Sequence, residues 1–156
     1  MLHARRGGAF KRTYEITDDT GKQVAVWNPR TWRQAGRVEL AGGGYEVETS
    51  GWTNRRATLI GADGAVLATA DGVGRKRWVV QTPEATYEFE RVSAWRADQA
   101  LLHAGQRVGI LRRTGFWGNR AEADLPGLPL PVALFAFAVT LLLWERNDTA
   151  AATAAS

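Results

Sequence analysis

From Leu125 to Trp144 the chain runs for twenty residues without a charge. Pro126, Pro129 and Pro131 punctuate its start, and Val132–Trp144 then continues apolar but for Thr140. A helix without a polar face has to lie in a membrane or be enclosed by protein. Pro131 suits the first helical position, where a missing N–H costs nothing, so a helix is expected over about 131–145. The fourteen residues Pro131–Trp144 make about 21 Å of helix, whereas a hydrocarbon core of about 30 Å takes about twenty residues. Extension backward through Leu125–Leu130 would leave carbonyls unpaired in lipid at Pro126, Gly127 and Pro129. Flanking positive charge is sparse, with Arg146 after the stretch and Arg120 the nearest before it.

Upstream, the chain alternates with period two. Phe10, Tyr14 and Ile16 share one face, interrupted by Arg12, with Lys11, Thr13 and Glu15 on the other. Gly44–Thr49 and Thr86–Glu90 alternate more cleanly. Apolar-in, charged-out patterning is that of half-buried antiparallel strands; doubly covered parallel strands read as continuous apolar runs. Asp18-Asp19-Thr20-Gly21, Ala62-Asp63-Gly64 and Ala104-Gly105-Gln106 separate such segments and signal hairpins,. Ala41-Gly42-Gly43-Gly44 spells another turn in glycine. Strands are expected at Phe10–Thr17, Lys22–Trp27, Gly36–Leu40, Tyr45–Thr49, Arg56–Ile60, Ala65–Ala70, Arg77–Gln81, Ala85–Val92, Trp95–His103 (one strand or two), Arg107–Arg113 and Asn119–Asp124.

The two signals combine into one architecture. Eight strands fill their own lumen with side chains, and barrel diameter grows with strand number. About twelve would leave a hole, and a helix with its side chains is about 10–12 Å across. The expected fold is therefore mainly β, an antiparallel closed barrel of about twelve strands around the hydrophobic C-terminal α-helix. Closure also removes exposed strand edges. The narrow stripe Ala133, Ala136 and Thr140 would let the helix approach the wall, or would serve contact between membrane helices. Residues 1–9 are expected as a flexible N-terminus, 10–146 as the single domain, and 147–156 as a disordered tail.

This organisation resembles the tubby C-terminal-like superfamily, which includes the LURP-one-related proteins and the phospholipid scramblases. The resemblance rests on the hairpin Tyr14–Trp27, the hairpin Thr58–Ala68 and the terminal run Leu128–Trp144. It implies a non-enzymatic domain without a cofactor, with tubby-type binding of phosphoinositide headgroups by basic surface residues. The chain departs from scramblases in having no cysteine, so their palmitoylated cluster has no counterpart, and it is shorter than a tubby domain.

Composition narrows the chemistry further. Absence of cysteine excludes disulfides and thiolate metal sites,. The net charge of +4 is low for a nucleic-acid binder, although seventeen of twenty basic residues are arginine, and no aromatic-interleaved basic strand of the RNA-binding kind occurs. His3 and His103 have no ligand neighbour at metal-site spacing, and no serine sits in a nucleophile elbow. Neither catalytic nor metal-binding residues are expected. No apolar segment follows the early Arg5-Arg6, so a secretory signal is not expected and a cytoplasmic location is, with peripheral attachment at the inner membrane face.

Candidate binding residues are cationic. Arg75-Lys76-Arg77 follows the glycine-loosened Asp71–Gly74, and Arg55-Arg56 and Arg112-Arg113 stand at strand ends near Trp52 and Trp117 in sequence. Arginine beside tryptophan suits an anionic headgroup at a membrane interface. Edge-strand protection and ordinary packing at a barrel rim are the structural readings of the same residues. The expected partner is an anionic lipid surface or a protein. The alternative is a tail-anchored membrane protein, with Pro131–Trp144 as the membrane helix and the β domain exposed.

Overall fold

The computed structural model describes residues 1–7, 12–30, 35–50, 55–93, 97–115 and 118–155. Among the described residues, twelve strands precede one long helix: β1 (Leu2–Arg6), β2 (Tyr14–Thr17), β3 (Gln23–Arg30), β4 (Ala35–Leu40), β5 (Gly43–Ser50), β6 (Arg56–Ile60), β7 (Val66–Asp71), β8 (Arg77–Gln81), β9 (Thr86–Arg91), β10 (Gln99–His103), β11 (Gln106–Thr114), β12 (Arg120–Asp124) and α1 (Leu130–Ala155). Each strand pairs antiparallel with its sequence neighbours, and β1 pairs with both β2 and β12, closing the barrel. The expected hairpin turns form as their residues dictate. Asp18 Oδ1 accepts the Thr20 and Lys22 backbone N–H groups at 2.9 and 3.1 Å. Ala104 and Gly105 both take positive φ, 51° and 78°, the twist that a two-residue hairpin loop requires.

Both ends of the chain differ from the sequence expectation. The twelfth strand is β1, in the segment expected to be flexible, and the Trp95–His103 segment supplies one strand, β10. Leu2–Arg6 hides its strand character because its one fully buried residue is an alanine, Ala4, at 2% exposure. At the other end the helix continues to Ala155 instead of stopping near 145, and no disordered tail begins at 147. Alanine is the strongest helix former, and the hydroxyls of Thr149 and Thr153 bond the carbonyls four residues back. With twenty-six residues the helix is about 39 Å long. By length and composition it could cross a membrane, so the length argument against a span does not hold.

Burial shows where the helix lies. Leu134, Phe135, Ala136, Phe137 and Ala138 are consecutive and all 0% exposed. Successive helical residues point about 100° apart, so protein surrounds this segment on every side. That protein is the inner face of the sheet: Ile16, Trp27, Val38, Val47, Leu59, Val80, Phe89 and Leu111 share one buried cluster with α1. Ala133, Ala136 and Thr140 are buried with the rest of the segment, and the Thr140 hydroxyl donates to the Ala136 carbonyl at 2.8 Å.

The wall is thinned where the helix presses on it. The α1 backbone approaches β3, β4 and β7 most closely, strands whose buried residues include Ala25, Ala68 and Ala70. Gly36 on β4 makes room for Trp27 of β3: a Cβ there would collide with the Trp27 ring at Cη2 and sit 2.8 Å from the Asn28 carbonyl oxygen.

Two substitutions test this packing. Phe135→Ala should cost about 3–5 kcal/mol in denaturant unfolding, whereas Leu130→Ala, at a position 42% exposed, should cost well under half of that. Gly36→Ala should destabilise by about 1–3 kcal/mol, and Trp27→Phe in the same chain should recover part of the loss. A neutral Gly36→Ala would show that the β3–β4 wall is looser than described.

Candidate functional site

The helix gives the barrel two unlike ends. It starts after β12 ends at Asp124, beside the hairpin turns β2–β3, β6–β7 and β8–β9. This entrance rim carries Asp18, Asp19, Asp63 and Glu84 in those turns, with Lys22. At the opposite rim, where α1 leaves, strand ends and connections carry Arg5, Arg6, Arg55, Arg56, Arg75, Lys76, Arg77, Arg112, Arg113 and Arg120. Antiparallel topology returns alternate connections to the same end, and the side chains those connections carry set the charge of each rim.

The exit rim is fastened to the helix by a set of polar contacts. Trp144 is 2% exposed, and its indole N–H donates to the Ala97 carbonyl at 2.8 Å. Gln99 links this to the core: its Oε1 accepts the Trp78 indole N–H at 3.0 Å and its Nε2 donates to the same Ala97 carbonyl at 3.2 Å. Trp78 stacks on Phe89 with centroids 4.3 Å apart. The Arg113 guanidinium lies 5.6 Å from the centroid of Trp144 and grips both oxygens of Asp148 at 2.6 and 3.0 Å. That bidentate bond raises the Arg113 pKa above its ordinary value. The Tyr14 hydroxyl donates to Glu145 at 3.3 Å, and burial, followed by the Glu145 charge, pushes its pKa up to about 12.

The seven basic residues singled out in sequence all reach this rim but divide into two sectors. Arg55, Arg56, Arg75, Lys76 and Arg77 gather at the exit ends of β6, β7 and β8, which are adjacent. Arg112 and Arg113 stand apart on β11 and serve internal contacts, Arg113 with the helix and Arg112 with Glu122 at 2.8 Å. Within the first sector Arg56 pairs with Asp71 at 3.1 Å, and Arg77 approaches Glu90 at 3.7 Å. Glu90 is held below the usual carboxylate range mainly by its hydrogen bond from Arg107, with Arg77 and Lys76 adding charge. Arg55, Arg75 and Lys76 are exposed and make no ion pair among the described residues. Trp52 and Trp117, expected beside these cations, lie outside the described residues.

A cleft opens in this sector, where the helix passes β6 and the β7–β8 turn. Arg55, Arg56, Thr49, Arg146 and Asn147 line its polar side, and Val73, Val139, Leu142 and Leu143 its apolar side. Arg146 enters the sequence reading only as the charge flanking the apolar stretch, and Asn147 falls in the presumed tail, so neither is among the expected binding residues. Their signal is visible once the helix is extended: Val139, Leu142, Leu143, Arg146 and Asn147 follow the spacing of one helical face. No group of three or more His, Cys, Asp or Glu among the described residues is arranged to hold a metal ion.

No family model, curated protein or solved structure matches this chain.

The Tyr14 contact predicts a pH dependence. An acid whose pKa is raised on folding contributes stability that is complete below its unfolded value and is lost as pH rises through the folded one. Stability should fall by about 2 kcal/mol as pH rises from 10.0, the ordinary tyrosine value, to about 12. Tyr14→Phe should remove that part of the fall in equilibrium unfolding. Superimposable pH profiles of the two proteins would refute the coupling.

Proposed function

We propose that this protein is a non-catalytic binding barrel, tubby-like in architecture, that docks its helix-exit rim on anionic phospholipid at the cytoplasmic face of a membrane. The observation that carries the reading is the convergence of Arg55, Arg56, Arg75, Lys76 and Arg77 on adjacent strand ends. Three of these cations are exposed and uncommitted to ion pairs among the described residues. A basic residue near an anionic leaflet contributes about 1 kcal/mol, within a screening distance of about 8 Å at physiological salt. The acidic turns of the opposite rim would be repelled by the same surface, which orients the barrel with α1 pointing at the membrane.

The tail-anchored alternative draws on the full length of α1, twenty-six residues. It requires the helix to leave a lumen that it fills, exposing Trp27, Phe89 and Leu111, each 0% exposed in the barrel. Peripheral docking leaves that core intact and is the better supported of the two.

Vesicle flotation tests the proposal. Binding is expected with phosphatidylserine-containing vesicles and not with neutral phosphatidylcholine, should weaken steeply with salt, and should fall by about tenfold or more in the charge reversal Arg75→Glu, Lys76→Glu, Arg77→Glu. Lys22→Glu at the entrance rim should leave it unchanged. Equal binding to neutral vesicles, or indifference to the triple reversal, would dismiss the membrane role. Flotation that resists alkaline carbonate would favour the tail anchor.

A further inference from the structure

The cleft beside the helix has the make-up of a site for one molecule, beyond what a charged surface needs. Its volume is about 170 Å³, comparable with the roughly 150 Å³ apolar cavity that accommodates benzene. One side is cationic and the other aliphatic, and the two sides meet at Gly74. A Cβ at Gly74 would lie 2.9 Å from Leu143 Cδ1 and 3.5 Å from Arg55 Nη1, so the backbone of the β7–β8 turn passes close to both side chains.

Arg55 is held there at a conformational cost. Its φ is 47°, a left-handed conformation that a residue with a Cβ adopts at a cost. Its carbonyl accepts the Val73 N–H at 3.0 Å, which ties the residue to the β7–β8 turn. Its side chain makes no ion pair among the described residues. Across the cleft, Arg146 is part-buried, and desolvation depresses its pKa.

We infer that this cleft binds a single anionic amphiphile, with a phosphate headgroup on Arg55 and Arg146 and the first part of an alkyl chain against Val73, Leu142 and Leu143. The inference rests on the rim reading above for the source of that ligand, a membrane lipid, and deepens it from surface attraction to stoichiometric capture. The Arg56–Asp71 pair stands at the edge of the cleft and keeps the second arginine of this corner neutralised, so one headgroup, rather than a sheet of charge, matches the site.

Isothermal titration of the full chain with octyl phosphate below its micelle concentration, inorganic phosphate and octyl glucoside tests this. Octyl phosphate should saturate one site per chain, inorganic phosphate should bind about tenfold or more weakly for want of methylene burial, and octyl glucoside should not saturate. Arg55→Gly suits the positive φ and should keep or raise the unfolding midpoint, while lowering octyl phosphate affinity about tenfold or more. Leu143→Gln should bring octyl phosphate to the level of inorganic phosphate. Equal affinity in wild type and Arg55→Gly, or no gain from the alkyl chain, would overturn the inference. If octyl phosphate fails while anionic vesicles still float the protein, the cleft is refuted and the rim reading stands. If one octyl phosphate binds while vesicles do not, the membrane source is refuted and a free phosphorylated amphiphile takes its place.

Discussion

A sheet of twelve strands cannot close on its own side chains, and the void this leaves is the constraint around which the molecule is organised. Barrel diameter grows with strand number, and an unfilled lumen would forfeit the contacts that make a core dense. One apolar helix fills it. The helix in turn has no polar face to offer water, so neither part has a satisfactory state without the other. Wall and filling are matched in size: Ala25, Ala68 and Ala70 are buried on strands that α1 approaches closely, while Leu134, Phe135 and Phe137 project from the helix and are fully enclosed.

The threaded helix also makes the two ends of the barrel chemically distinct. Because its long polar continuation leaves at one rim only, that rim gains a wall the other lacks. Arg113 and Tyr14 use the continuation as an anchor through Asp148 and Glu145. Between β6 and the β7–β8 turn the same surface forms one side of a cleft. A core-filling element thus becomes, one turn further along, part of the proposed binding surface. In the proposed function the fold reaches its binding surface through this continuity, and the proposal relies most on arginines beside it, such as Arg55, that pair with no carboxylate among the described residues.

The architecture was legible where side chains were large. The period-two segments, the Asp-Gly and Ala-Gly turns and the uncharged C-terminal run each carry a strong local signature, and together they specify a closed barrel with a filled lumen. β1 was missed because a wall that faces a bulky helix is built from small residues, so Ala4 carries no hydrophobic signal although it is buried. Helix length was missed because Asn147, Asp148 and the alanines after them read as a tail in isolation, and tertiary anchoring by Arg113 is needed to see them as a helix. The basic pairs were visible as residues. Their division into a structural pair on β11 and an exposed sector on β6–β8 depends on strand adjacency and ion pairing, which follow from the closed topology.

Native-state hydrogen exchange measures most directly whether sheet and helix share one core. With the helix enclosed, the amides of Val132–Leu142 should exchange only through global unfolding, with the same opening free energy and denaturant dependence as the central amides of β3, β4 and β7. Helix amides that exchange freely while those strands remain protected, or that gain protection only when detergent or lipid is added, would contradict the enclosed-helix architecture.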